Sequence, residues 1–235
     1  MTREAHMHIH MLQHQPHQGP ARIADWLTSM GHSYTIFHLH QRELVPRISD
    51  CDALIVLDDH EDNEQQSWSR AERKLIDQAL DGQKPLLGIG TGALRIAELL
   101  GAPVGHGTNA EVGWQHINLA SDSSFDLPDD FTALLWHRQV FGLPDDALPL
   151  GGSETSPVLG FAWDAGRVVG LACQLHHHRQ SLAAQVESVP APAGYDDSPW
   201  VQSSEAILAE AHHVDELAPL LDRVLSQWLR TAAAT

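Results

Sequence analysis

Cysteine is scarce in this chain, and long uninterrupted hydrophobic runs are missing. The 235 residues include only Cys51 and Cys173, too few for a disulfide framework, so we predict two buried thiols in a reducing cytoplasm. The most apolar stretch, 85–104, is interrupted by Arg95, Glu98 and several glycines, and it therefore predicts no membrane span. No N-terminal segment joins a basic region to an apolar core, so we expect no signal peptide.

Basic residues are also few. Fourteen lysines and arginines stand against 31 acidic residues, which gives a formal net charge of −17. Such a surface repels phosphate backbones and anionic lipid, so we expect no nucleic-acid partner and no membrane association. The partner that remains is a small molecule, another protein or a second copy of this chain. Seventeen histidines are present, and their protonation between roughly pH 7 and 5 should remove much of the negative charge.

Strand-like and helix-like segments alternate through the first hundred residues. The continuous apolar runs at 53–57 and 85–89 are typical of parallel strands buried on both faces. The resulting β-α-β-α-β order predicts a mostly parallel sheet with helices on both sides. We predict strands at 7–12, 33–38, 53–57 and 85–89, and helices at 20–30, 69–82 and 93–100, with Ser69 and Glu72 as a capping box for the second helix.

The second half of the chain has a weaker pattern. From residue 111 onward we expect shorter strands and more turns, with the best strand at 168–175. The segment 181–200 is rich in Pro, Ala, Ser and Gly and predicts a loop, whereas 205–229 predicts one or two amphipathic helices. Because we find no internal repeat and no linker, we expect a single domain over residues 1–235.

The turn after the strand at 85–89 has the outline of a nucleophile elbow without a nucleophile. Enzymes of the α/β class hold a Ser or Cys at the centre of Gly-x-Nuc-x-Gly, on a strained turn between a strand and a helix. Here the sequence is Gly-Ile-Gly-Thr-Gly, and the central position is Gly90, which has no side chain that can attack a substrate.

The motifs that surround this turn resemble, in the same order, those of the class I glutamine amidotransferases that consist of this domain alone. The resemblance covers almost the whole chain. It implies an α/β three-layer sandwich with a mostly parallel central sheet, the flavodoxin-like class I glutamine amidotransferase fold. The matching segments are His-Gln-Pro-His-Gln-Gly-Pro at 14–20, the strands at 53–57 and 84–89, Glu-Val-Gly-Trp at 111–114, Trp-His at 136–137 with Phe-Gly-Leu-Pro at 141–144, and Gln-Leu-His at 174–176.

The resemblance also implies a reaction that this chain is poorly equipped to perform. Members of the family hydrolyse glutamine to glutamate and ammonia: a cysteine thiolate attacks the amide, a histidine activates it, and a glutamate two residues later orients the histidine. The family cysteine position is Gly90 here, the histidine is kept as His176, and the glutamate is replaced by His178. Without the thiol no thioester can form, and without the glutamate no anion stabilises an imidazolium.

The residues that should surround the reacting atoms have changed as well. Asp58 and Asp59 align with glycines of the family's oxyanion loop, and negative charge there opposes a developing oxyanion. Thr91 is the family residue that gives a backbone N–H to the oxyanion hole, and we expect its side chain to point elsewhere. Trp136 and His137 are expected to form a wall of the same cleft, with Asp58, Asp59 and Thr91 as further binding residues.

Several functions are compatible with this sequence. The first hypothesis is a pseudoenzyme that lacks glutaminase activity and binds a ligand or a partner. The second is a hydrolase in which His176, His178 and Asp58 hold a metal ion such as zinc, since imidazole and carboxylate suit that ion. An active amidotransferase with unrecognised chemistry, or a structural subunit that uses only its surface, are the remaining alternatives. We expect no cofactor.

Overall fold

A seven-stranded, mostly parallel sheet forms the centre of the molecule. The structure is a computed structural model and describes residues 6–59, 66–189 and 198–232. The strands are β1 (His8–Gln13), β2 (Ser33–His38), β3 (Ala53–Val56), β4 (Leu86–Ile89), β5 (Val104–Leu119), β6 (Asp130–Phe141), β7 (Leu148–Pro149), β8 (Gly151–Gly152), β9 (Gly160–Trp163) and β10 (Val168–Leu171). The central sheet has the order β2-β1-β3-β4-β10-β9-β7, and its first five strands run parallel. β9 and β7 extend it antiparallel.

Helices cover both faces of this sheet. They are α1 (Arg22–Ser29), α2 (Ser69–Asp81), α3 (Thr91–Leu99), α4 (Arg179–Ser188), α5 (Ser204–Ala209) and α6 (His213–Ala232). Successive residues of a strand point to opposite faces. Accordingly, Ile55 packs in one core cluster with residues of α1, α4 and α6, whereas Leu54 and Val56 pack in a second cluster with residues of α2 and α3. The predicted three-layer α/β sandwich with a mostly parallel sheet is thus confirmed.

The first half of the chain follows the prediction closely. Each of the four predicted strands and three predicted helices forms, with ends that differ by one or two residues. The predicted C-terminal helical segment forms as α5 and α6. Among the described residues, no helix is both long and apolar enough to span a membrane. The prediction of a capping box at the start of α2 is wrong. The helix is preceded by Trp68 and has no side-chain cap, and the Glu72 side chain is buried in the interior.

Two predictions for the second half need correction. Short strands after residue 111 are found for β7 to β10, which have two to four residues, but not for β5 and β6, which have 16 and 12 residues and pair antiparallel in a separate sheet of order β6-β5-β8. A register shift between His106 and Glu111 interrupts the alternation that would have revealed so long a strand. The predicted loop at 181–200 contains most of α4, and residues 190–197 lie outside the described part of the chain.

Candidate functional site

The candidate site lies at the carboxyl ends of β3, β4 and β10. Asp58 follows β3, Gly90 follows β4, and Gln174 follows β10, so three chain segments meet at one edge of the parallel sheet. The Gly90 N–H donates to the Leu171 carbonyl over 2.8 Å, which joins the turn to the end of β10. Carboxyl ends of parallel strands are where α/β folds place their ligands.

Gly90 adopts the elbow conformation that the sequence pattern predicts. Its φ of 56° and ψ of −120° lie in a region that side-chain-bearing residues rarely occupy, and α3 starts at the next residue, Thr91. The backbone of a nucleophile elbow is therefore present although the nucleophile is missing.

The carboxylate of Asp58 fills the space beside Gly90. A Cβ atom added to Gly90 would lie closer than 3 Å to all three carboxyl atoms of Asp58, a separation that real Cβ atoms avoid. Oδ1 accepts hydrogen bonds from the backbone N–H groups of Thr91 (2.9 Å) and Asp59 (2.8 Å). Oδ2 accepts from the Gln174 side-chain amide over 2.8 Å. The carboxylate thus holds the N–H groups of Thr91 and of the oxyanion loop, which the resemblance assigns to the oxyanion hole.

The Thr91 side chain faces the turn formed by Asp58 and Asp59. Its hydroxyl oxygen accepts from the Asp59 N–H over 2.8 Å and lies 3.1 Å from Asp58 Oδ1, to which it donates. The hydroxyl is consequently engaged in holding the Asp58–Asp59 turn and is not directed at an open substrate position.

Sequence reasoning missed the amide that completes this arrangement. Gln174 is buried, and its carbonyl oxygen accepts from His177 Nε2 (3.0 Å) and from the Gln185 amide (2.9 Å). These bonds orient the Gln174 amide group so that its NH₂ faces Asp58. The sequence contained a signal for it, since Gln174 belongs to the Gln-Leu-His motif. Gln174 lies two residues before His176, and side chains two residues apart in an extended segment point to the same face.

Asp59 points away from the cleft into a buried ionic cluster. Its Oδ2 lies 2.9 Å from Arg95 Nη2, and Arg95 Nη1 lies 3.1 Å from Glu72 Oε2. Glu72 Oε1 is also bonded to His14 Nε2 at 2.5 Å, and both side chains are fully buried. Burial by itself raises the pKa of Glu72, but Arg95 and His14 outweigh it, so the net pKa lies below its usual range.

The two histidines of the predicted catalytic set serve other contacts in this structure. His176 is buried and its ring stacks on that of His177, with 4.6 Å between the ring centroids. His178 is the N-cap of α4: its Nδ1 accepts from the Ser181 N–H over 3.1 Å, and the Ser181 hydroxyl oxygen accepts from the His178 N–H. Neither histidine is among the described residues that line the cleft beside Gly90.

The hypothetical metal set of His176, His178 and Asp58 does not come together among the described residues. A three-ligand site needs ligand atoms within a few ångströms of one another, and these three residues do not form such a group. The described part of the chain therefore offers no support for metal-assisted hydrolysis at this cleft.

The cleft has a volume of about 80 Å³, which is small against the roughly 300–1,000 Å³ of typical ligand pockets. Trp136 and His137 line it together with Asp58, Gly90 and Thr91, as the sequence predicts, whereas Asp59 does not. The remaining lining residues are Leu94, Arg138, Gln139, Phe141 and Ala172.

A buried carboxylate stands behind His137. Glu111 is fully buried, and its Oε2 lies 3.3 Å from His137 Nε2 while its Oε1 accepts from the Ser153 hydroxyl at 2.5 Å. Burial by itself raises the pKa of Glu111, but the neighbouring His137, Ser153 and Ser156 side chains outweigh it and the net pKa is lowered. Glu111 therefore lies within ion-pair distance of a histidine that lines the cleft.

Comparison with known proteins agrees with this fold. No protein-family model matches the chain. It is 28% identical to the glutamine amidotransferase-like protein YfeJ of Salmonella typhimurium over 165 residues, which are 64% of this chain and 68% of that protein. A glutamine amidotransferase structure from Thermotoga maritima superposes with a TM-score of 0.81 at 23% identity, covering 95% of this chain and 98% of that one. A glutamine amidotransferase structure from Methylobacillus flagellatus superposes with a TM-score of 0.85 at 20% identity, covering 96% of this chain and 95% of that one.

The fold is therefore that of the class I glutamine amidotransferases. In sequence, the chain resembles the glutamine amidotransferase-like proteins, as its ordered motifs predict. A shared fold does not carry a shared reaction, which depends on the site.

Proposed function

We propose that this protein is a glutamine amidotransferase-like pseudoenzyme that binds a ligand or a partner without hydrolysing glutamine. The observation that carries the proposal is the Asp58 carboxylate, which lies in the space of a nucleophile side chain and accepts from the Thr91 and Asp59 N–H groups. A substrate oxyanion would have to displace a buried carboxylate before it reached these donors. Loss of even one such donor costs other enzymes roughly 10²- to 10³-fold in rate.

Three changes support the proposal together. Gly90 supplies no thiol, Asp58 occupies the oxyanion donors, and His178 caps a helix in place of orienting His176. The first two are physically coupled, because the Asp58 carboxylate leaves no room for a Cβ atom at Gly90. The site is thus reorganised around the carboxylate and has not merely lost one group.

The proposal is tested by ammonia release from glutamine. We expect purified full-length protein to release none above the rate of a heat-denatured sample. Ammonia release that is abolished by His176→Ala would contradict the proposal, since it would show that the family histidine still catalyses the reaction.

The cleft supports the binding role. It is bordered by the aromatic rings of Trp136 and Phe141 and by Leu94, with Asp58 and His137 as polar groups, a composition typical of small-molecule sites. A partner protein that covers this cleft would be detected by crosslinking from a photoreactive group placed at Gln139.

A cytoplasmic location remains a prediction from the cysteine content.

A designed revertant tests whether Asp58 blocks the position of a nucleophile at residue 90. Gly90→Cys alone should give no glutaminase activity, because its Cβ overlaps Asp58. The double variant Asp58→Gly with Gly90→Cys removes that overlap and frees the oxyanion donors. Robust activity in the single variant would show that Asp58 does not block the site.

A further inference from the structure

Three side chains at the start of α6, far along the chain from the cleft residues, have the composition of a metal site. They are His212, His213 and Glu216, whose ligand atoms all lie within 4.8 Å of one another. No other set of three histidine, cysteine or carboxylate ligands comes so close within residues 6–59, 66–189 and 198–232. We propose that these residues bind a divalent transition-metal ion of the zinc class.

The spacing along the helix brings the ligands to one face. His213 and Glu216 are three residues apart in α6, and side chains at this separation are neighbours on a helix surface. His213 Nδ1 lies 2.7 Å from Glu216 Oε2. Tetrahedral zinc with bonds of about 2.0–2.2 Å separates its ligand atoms by about 3.3–3.6 Å, so small side-chain rotations would open the space for the ion.

One of the ligands is held in place by the protein core. The His213 ring packs against Trp114, with 5.1 Å between the ring centroids, and its side chain is 19% exposed. Trp114 is buried, and its indole N–H donates to the Ile207 carbonyl of α5 over 2.9 Å. Ordering of His213 before binding reduces the conformational entropy lost when the ion binds.

The remaining two ligands leave the site accessible. His212 and Glu216 are exposed, and the rings of His212 and His213 lie 4.3 Å apart between centroids. Such an arrangement provides three protein ligands and an open fourth position for water or for a group from a partner. The donor set decides the kind of ion: two imidazoles favour zinc and its neighbours over magnesium or calcium, which prefer oxygen ligands alone.

The electrostatics of the site also favour a cation. The positive end of the α6 dipole opposes it, but two carboxylates, Asp215 and Glu216, lie in the first helical turn. Asp215 is bonded to Arg179 over 2.8 Å, which leaves Glu216 as the carboxylate available to the ion. The net charge of −17 adds attraction over a longer range at low salt.

The test is calorimetric titration of metal-free, full-length protein with Zn²⁺. We expect one tight site per chain, weakened at least about a hundredfold in His212→Ala and in Glu216→Gln, because loss of a direct ligand should exceed the 10- to 100-fold effect of losing an outer-shell group. Mg²⁺ should produce no such signal. Both substituted residues are exposed, and unchanged melting temperatures without metal would show that the variants fold.

Two control variants test whether zinc binding comes from the other histidines or from nearby negative charge instead of from the three proposed ligands. Asp215→Asn removes an adjacent carboxylate that is not in the group, and His40→Ala removes a ring from the half-buried pair His38 and His40. Both should retain the tight site. The proposal is overturned if wild-type protein has no site tighter than its background of weak binding, or if His212→Ala binds Zn²⁺ as wild type does. Either result leaves the proposed function of the cleft untouched.

Discussion

Asp58 and Gly90 act as one unit at the scale of single residues. The carboxylate is buried, receives donors from Thr91, Asp59 and Gln174, and occupies the position into which any side chain at residue 90 would project. A buried carboxylate with this many charge-assisted hydrogen bonds is costly to move, because each abandoned N–H would be left unsatisfied. The glycine is therefore a requirement of the reorganised site.

The contact between Asp58 and Gly90 predicts that a single methyl group added at residue 90 destabilises the protein. Gly90→Ala should lower the free energy of unfolding by about 2–4 kcal/mol, through overlap with Asp58 and strain at positive φ. Gly101→Ala is a matched control, since Gly101 also has a positive φ of 87° but no atom within 4 Å of an added Cβ. Urea unfolding should show the larger loss for Gly90→Ala, and equal losses would argue against the coupling.

The buried cluster around Glu72 predicts a dependence of stability on pH. The pKa of Glu72 in the folded protein is below its ordinary value of 4.5, because Arg95 and His14 outweigh the effect of burial. Its ionised form therefore stabilises the fold above about pH 4.5, and this contribution is lost as the pH falls through the lowered pKa.

Glu72→Gln tests this dependence. We expect the free energy of unfolding at pH 7 to fall by about 3 kcal/mol, since the substitution removes the buried carboxylate that pairs with His14 and leaves Arg95 with one buried carboxylate, Asp59, instead of two. The decline in stability between pH 5 and 3 should become shallower. Glu98→Gln breaks a half-exposed pair with Arg73 and should change stability by less than about 1 kcal/mol. Parallel pH profiles for wild type and Glu72→Gln would rule out the assigned role.

At the scale of secondary-structure elements, α4 begins with a histidine as its N-cap. His178 and Ser181 exchange hydrogen bonds at the start of this helix, an arrangement usually made by Ser, Thr, Asp or Asn. The inward positions of α4 are Leu182, Gln185 and Val186, and a glutamine among them weakens the apolar periodicity. For these two reasons, sequence patterns predict a loop where the chain forms a helix.

The cap predicts a graded effect of substitutions at residue 178. His178→Ala should lower the free energy of unfolding by about 1 kcal/mol, the usual cost of losing an N-cap acceptor. His178→Asn supplies a carbonyl oxygen and should lose less, and denaturant melts of the two variants would show the difference. If Asn is as damaging as Ala, the histidine contributes something other than a hydrogen-bond acceptor.

At the scale of the whole molecule, charge dominates the expected solution behaviour. The chain carries a formal net charge of −17 with neutral histidines, and protonation of 17 histidines would bring it close to zero. We predict that solubility falls steeply as the pH approaches the pI of about 5.3 and recovers below it. Light scattering across pH 4–8 measures this, and constant solubility over that range would contradict it.

The sequence predicts much of the fold because the signals are local. Apolar runs at 53–57 and 85–89, with helices between them, specify parallel strands, and the structure has β3 and β4 there. The long β5–β6 pair is not predictable in this way, because the exposed segment 104–109 lacks apolar alternation and gains its pairing from β6. The start of α2 after Trp68 without a side-chain cap, and the capping of α4 by His178, likewise do not follow from ordinary helix-start preferences.

The residues at the positions that the resemblance assigns to the nucleophile, the oxyanion loop and the glutamate are determined by the sequence alone, because each is the identity of one residue. Only the tertiary structure decides what takes their place. Asp58 meets Thr91 across 33 residues and Gln174 across 116, and the sheet register brings them to one edge. A contact over such separations depends on the packing of the whole sheet, which no local pattern of residues encodes.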